Sequence, residues 1–245
     1  MRHFPARILS LSLLCMFFGL LLTTSAMAVM PAAQVLPDTT RGFISIQDFY
    51  RMQDDFDKTQ IGQLLLDPVM EPFSKDLKRQ LKEKWSDAHE SLGLTWTDFE
   101  NVPGGEVAAA RIQPSKNEAA MVMIVDITGK QAVDELLEKV ADRMASREAT
   151  TEVIQRQNIS LTVYTGTTKA DKGKQAVFFV VPNHHQLVAA DNLAVAEGIL
   201  RRFAGDSTDS LTSVAAFNAT MGQVDTQQGD QLSHLRWFVE PFGFV

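Results

Sequence analysis

The chain predicts an α+β fold, a mostly antiparallel sheet with amphipathic helices packed against it, behind an export signal. Three observations carry that prediction: short apolar runs separated by brief turns, helical stripes placed between them, and the make-up of the first 28 residues. Neighbouring strands joined by short turns pair antiparallel, and interposed amphipathic helices need a sheet face to cover.

Arg2 and Arg7 give a positive start with no acidic residue beside them, and Ile8 to Leu22 is an apolar run of 15 residues. Ala26 and Ala28 then place small residues at −3 and −1 of a peptidase site, so residues 1–28 read as a signal peptide cut after Ala28. The alternative is an uncleaved anchor over residues 8–24; Ser10 and Ser12 make it short of the roughly 20 apolar residues a spanning helix needs. Cys15, the only cysteine, sits inside the run where a lipidated cysteine would end it. Processing leaves 217 residues without cysteine, enough to bury a core unaided, and the compartment expected is the periplasm or beyond the cell. With Arg2 and Arg7 removed, 21 basic residues face 30 acidic ones, a net charge of −9. That disfavours nucleic acid and anionic headgroups as partners, and contact with a membrane would come only through an uncleaved N-terminal segment.

Residues 29–40 read as a lead-in with two prolines, and residues 41–245 as a single domain. Gly42 to Ile46 is the first strand expected. Helical signals dominate from Asp48 to about Gly93, where Val69, Phe73, Leu77, Leu81, Trp85, Ala88 and Leu92 lay one apolar stripe along a helix. Pro68 suits the first turn of that helix and Gly93 its end. After a turn at residues 101–105 come strands over Glu106 to Ile112 and Met121 to Ile127, the second apolar enough to be covered on both faces. Ala132 to Met144 is a second amphipathic helix. Thr151 to Thr165 reads either as one bent strand or as a hairpin about Gln157-Asn158. Ala176 to Val181 is a buried strand, Pro182 to His185 a turn, and Gln186 to Ala190 a strand. Asp191 is the expected cap of a third helix that ends near Phe203. A strand-like run begins at Leu235. Its renewed apolar residues Phe242, Phe244 and Val245 suggest that further modules follow in a longer protein.

Leu36-Pro37-Asp38-Thr39, Leu65-Leu66-Asp67-Pro68, Leu92-Gly93-Leu94, Gly104-Gly105-Glu106 and Asp191-Asn192 together resemble the N-terminal module of a class of exported bacterial proteins of planctomycete type, a domain of unknown function. The resemblance implies compartment and fold; the class has no assigned activity, so no catalytic residue follows from it.

Chemistry-bearing residues do not cluster along the chain. His184-His185 falls at a turn, where adjacent side chains diverge too far to share a metal. His89 and His234 lack ligand partners at metal spacing. Asp54, Asp55 and Asp57 lack the glycine and the closing glutamate of a calcium loop, and read as a solvated helix face. No nucleophile elbow, SxxK pair, Walker loop or dinucleotide fingerprint is present. Glu106 beside a Gly-Gly turn and Asp126 at a strand end are the two carboxylates placed where catalysis is often found, but each stands alone in sequence. Asn158-Ile159-Ser160 and Asn218-Ala219-Thr220 match the glycosylation pattern, which means little in a bacterial host. The sequence therefore names no catalytic, cofactor-binding or metal-binding residue and no cofactor. It points to a binding or structural module of the cell envelope whose partner is an envelope protein or ligand of unknown identity. A hydrolase acting on envelope polymers, its carboxylates meeting only in the fold, is the alternative.

Overall fold

The computed structural model describes residues 29–89, 92, 94, 102–129, 132–169, 171–206, 208–228 and 233–240, with the backbone alone for 81–89. The expected signal peptide, the side chains of Leu81, Trp85, Ala88 and His89, and the apolar C-terminal residues lie outside this set.

Eight strands form one antiparallel sheet: β1 (Thr40–Ile46), β2 (Val107–Ser115), β3 (Glu118–Asp126), β4 (Thr150–Arg156), β5 (Ile159–Thr165), β6 (Gln175–Val181), β7 (Gln186–Ala190) and β8 (Leu235–Val239). They lie in the order β4-β5-β6-β7-β3-β2-β1-β8. The helices are α1 (Ala32–Val35), α2 (Phe49–Asp57), α3 (Gln60–Leu66), α4 (Glu71–His89), α5 (Ala132–Ser146), α6 (Leu193–Phe203) and α7 (Ala215–Gln228). The fold is α+β. Helix α5 carries the chain from β3 to the far edge at β4, and a meander brings it back until β7 pairs with β3. Helices α6 and α7 then lead to β8 on the opposite edge, beside β1.

Alternation along the strands splits the core into two layers. One face of the sheet packs Ala110, Val122, Ile124, Val163, Phe179 and Val188 against α1, α6 and α7 through Val35, Ile199, Phe203, Phe217 and Met221. The other packs Met123, Val125, Phe178 and Leu187 against Val133, Leu136, Val140 and Met144 of α5, with Leu92, Leu94 and Val102 alongside. That is why the apolar runs of β3 and β6 show no alternation: they are buried on both sides. Each large side chain so buried contributes about 1.5–3 kcal/mol.

Several expectations take more definite form. Thr150 to Thr165 is a hairpin: Gln157 and Asn158 have φ of 50° and 63°, the twin positive values of a two-residue turn whose twist matches the flanking strands. The cap of α6 is Asn192, whose carboxamide oxygen accepts from the Val195 N–H at 3.1 Å. Asp191 instead accepts the Met121 N–H at 2.8 Å, tying β3 to the start of α6. The helical stretch expected from Asp48 to about Gly93 holds α2, α3 and α4 among the described residues, and the helix expected to start at Pro68 opens with a 3₁₀ turn over Pro68–Met70 before α4. Thr59 caps α3, and Asp67 accepts from Val69 N–H at the head of a 3₁₀ turn starting at Pro68. The apolar stripe is split: Val69 is 84% exposed and Phe73 more than half, Leu77 is partly covered, and Leu92 is wholly buried in the layer under α5. These helices form an arm leaving the sheet between β1 and β2, tied back where Phe49 N–H meets Gly105 C=O and His234 Nε2 lies 3.2 Å from Asp55.

Residues 29–40 are more than a lead-in. Ala32, Val35 and Leu36 are wholly buried, Thr40 opens β1, and the backbone from Leu36 to Asp38 bonds to Asp209 and Leu211.

Candidate functional site

Two places carry more than packing demands. The first is the end of the sheet where β3 stops. Gly104 and Gly105 bring the chain in so tightly that a Cβ at position 104 would overlap the Thr128 carbonyl, and one at 105 the Asp126 carboxylate. This closeness lets Gly104 N–H donate to the Asp126 carbonyl (2.6 Å) and Asp126 N–H to the Glu106 carbonyl (2.8 Å). The fold thus places the two carboxylates that are isolated in sequence on hydrogen-bonded neighbouring segments. Glu106 accepts from Ser45 Oγ–H (2.5 Å) and from the Ala32 N–H (2.9 Å). Asp126, nearly buried, accepts from the Thr128 N–H (2.8 Å). Across from Asp126 in register is Gln186, fully buried, whose Nε2 donates to the Met30 carbonyl at 2.9 Å. Its Oε1 has no hydrogen-bond partner among the described residues.

Among the described residues no lysine, arginine or histidine pairs with Glu106 or Asp126, and no group of three His, Cys, Asp or Glu could hold a metal. Both oxygens of Glu106 and one of Asp126 are engaged by neutral donors, and residues 30–32 lie against this end. A general acid or base needs an oxygen within reach of a substrate proton. Here the geometry uses three of the four oxygens to hold the chain.

Of the remaining candidates from the sequence, His234 and Asp55 meet, 3.2 Å apart, while the others stay dispersed among the described residues. His184 is buried with its ring 5.4 Å from that of Phe203 and its Nδ1 unpartnered, while His185 is exposed at φ 49°. Asp54 and Asp55 bind Lys58 at 2.6 and 3.1 Å, as expected of a solvated helix face. A shallow open depression along α7, lined by Asn218, Ala219, Gly222, Gln223, Thr226 and Gln227, has no titratable side chain.

The second place is the outer part of the sheet face that α5 covers further in. Ile44 of β1 stands opposite Trp237 of β8, 45% and 64% exposed. Leu235 and Val239 flank Trp237 on the same face and are about half exposed. The same face two strands inward holds Met123 and Val125, wholly buried. So an apolar surface runs out from the core and stays uncovered. The arm begins at its border, with Phe56, Ile61, Leu64 and Leu66 also exposed. This surface was not readable in sequence, because LRWFV reads equally well as a strand buried on its apolar face. Gln186 gave no signal either, since a lone glutamine at a strand start is ordinary.

Comparison of the chain with protein-family models, with curated proteins and with solved structures returned no match. Among the described residues no helix is long and apolar enough to cross a membrane.

Proposed function

We propose that this chain is an exported binding module that docks an apolar surface of another envelope protein on the face formed by Ile44, Leu235, Trp237 and Val239. One observation carries the reading: a cross-strand Ile44–Trp237 pair left in water on a sheet face whose centre is roofed by α5. Contiguous exposed apolar surface of this kind marks interaction sites, and tryptophan is enriched among residues that dominate binding energy. The net charge of −9 after processing favours a protein partner over an anionic membrane. Export rests on Arg2, Arg7, the Ile8–Leu22 run and Ala26/Ala28, and on the absence of cysteine from the remaining 217 residues.

A photo-reactive residue at position 237, irradiated in the native host, tests this. The expected product is an adduct with a second, different polypeptide that disappears when Ile44→Lys is added. An adduct of twice the chain's own mass, a lipid adduct, or no adduct at all would overturn the assignment.

The hydrolase reading has one observation in its favour, the approach of Glu106 to Asp126. The occupied oxygens weigh against it. Glu106→Gln separates the two readings: loss of envelope-polymer cleavage would support the enzyme, while intact docking in the same variant supports the module.

A further inference from the structure

The sheet end at Glu106, Asp126 and Gln186 carries two negative charges held by neutral donors, and one buried acceptor, Gln186 Oε1, that is unmet among the described residues. It holds two carboxylates with no cationic partner among the described residues, and a buried amide whose oxygen has none. Glu106 is half-buried with both oxygens hydrogen-bonded, Asp126 is buried with one oxygen bonded, and the buried Gln186 Oε1 is unmet; an unmet buried acceptor costs about 1–3 kcal/mol. A cation arriving here would meet that acceptor and two negative charges at once.

The chain itself can supply one. Gln186 Nε2 holds the Met30 carbonyl, and Glu106 holds the Ala32 N–H. At about 3.3–3.6 Å per residue, the backbone nitrogen of Val29 lies within about 7 Å of that carbonyl and within about 11 Å of the Ala32 nitrogen. In the precursor this nitrogen is an amide with a single N–H. Cleavage after Ala28 turns it into an ammonium with three donors and a full positive charge, tethered within chain reach of Gln186 Oε1 and the carboxylates.

We propose that the α-ammonium created at Val29 docks on this sheet end as the counter-ion of Glu106 and Asp126, so that processing completes the fold. The proposal rests on the export reading. It explains why residues 29–36 are gripped rather than left as a loose tail: the grip sets the register that brings the new terminus to the carboxylates. The other cation to weigh is a metal, and the site does not offer three ligating side chains. Every described residue of both core layers lies beyond Val29.

The test uses the full-length chain exported and processed by a bacterial host, its terminus read by mass spectrometry. A terminus other than Val29 overturns the cleavage reading. Docking is then read separately, on a chain released from a fusion to begin at Val29. The α-ammonium form should melt higher than the same protein acetylated at its α-amine, by about 3–6 °C for a chain of this size. The gap should close in Glu106→Gln/Asp126→Asn. Equal melting of the two forms, or a gap that persists in the double variant, overturns the proposal. If the double variant does not fold, labelling decides. A carboxylate-paired ammonium whose pKa rises by one unit reacts with an acylating reagent about tenfold more slowly than a peptide α-amine. Equal labelling rates would sink the proposal without any substitution.

Discussion

The Cα of Gly105 rests against the carboxylate of Asp126, at a distance that leaves no room for a Cβ. That contact lets the strand following the Gly-Gly turn enter the sheet beside the last residue of β3. It also places Glu106 where Ser45 and Ala32 can both reach it.

Gly105→Ala is therefore expected to destabilise the protein by about 1–3 kcal/mol, the usual range for overpacking a tight site. Asp126→Ala removes the atom that the new methyl meets, so the double variant should be less destabilised than the two single changes added together. Urea denaturation of the four proteins measures the coupling. Strict additivity would mean that the two residues are not in contact.

Val125 faces α5 and Phe179 faces α6, one in each core layer. Changing either to Asp buries a charge with no partner, which costs several kcal/mol and should leave no soluble folded protein. A soluble variant with an unchanged melting temperature would contradict the two-layer core.

The β4–β5 turn offers a gain. Gln157 and Asn158 both hold positive φ, a region costly for side chains other than Asn and Gly. Gln157→Asn/Asn158→Gly should raise stability by about 0.5–1 kcal/mol, with the hairpin register unchanged. A lower midpoint in urea would show that the turn side chains make contacts the substitution destroys.

Asp55 ties the arm to the start of β8. A hydrogen bond from Lys58, then the positive charges of Lys58, His234 and Arg51, hold its carboxyl below the ordinary carboxylate value. A carboxylate lowered in the folded state contributes fully above its unfolded value of about 3.9, and that contribution is lost as the pH falls through the folded value. Acidification to about pH 3 should therefore loosen α2 before the core responds. Amide exchange in α2, corrected for its intrinsic pH dependence, is the measurement. Asp55→Asn at neutral pH should reproduce the effect, with faster tryptic cutting after Arg51 and Lys58. Unchanged exchange and cutting would place the hold on the arm elsewhere.

The strand and helix pattern was legible because it is local. Alternating residues in Ile159–Val163, unbroken apolar runs in Met121–Ile127 and Ala176–Val181, and the spacing of Ala132–Met144 each follow from which faces a segment must bury. The glycine pair at 104–105 signalled a tight turn for the same reason. Tertiary structure decided everything that depends on what lies across the sheet. Glu106 and Asp126 are 20 positions apart, and only the pairing of β2 with β3 makes them neighbours. Gln186 becomes a buried amide because β7 slots beside β3 after the β4–β7 meander, and because residues 30–32 close over that end. Ile44 and Trp237 read as core by composition; they are exposed because β8 is the sheet edge with β1 beside it, and no helix among the described residues covers them on that face. A side chain's preference for burial is written in its own chemistry, whereas the presence of a cover depends on where distant segments come to rest.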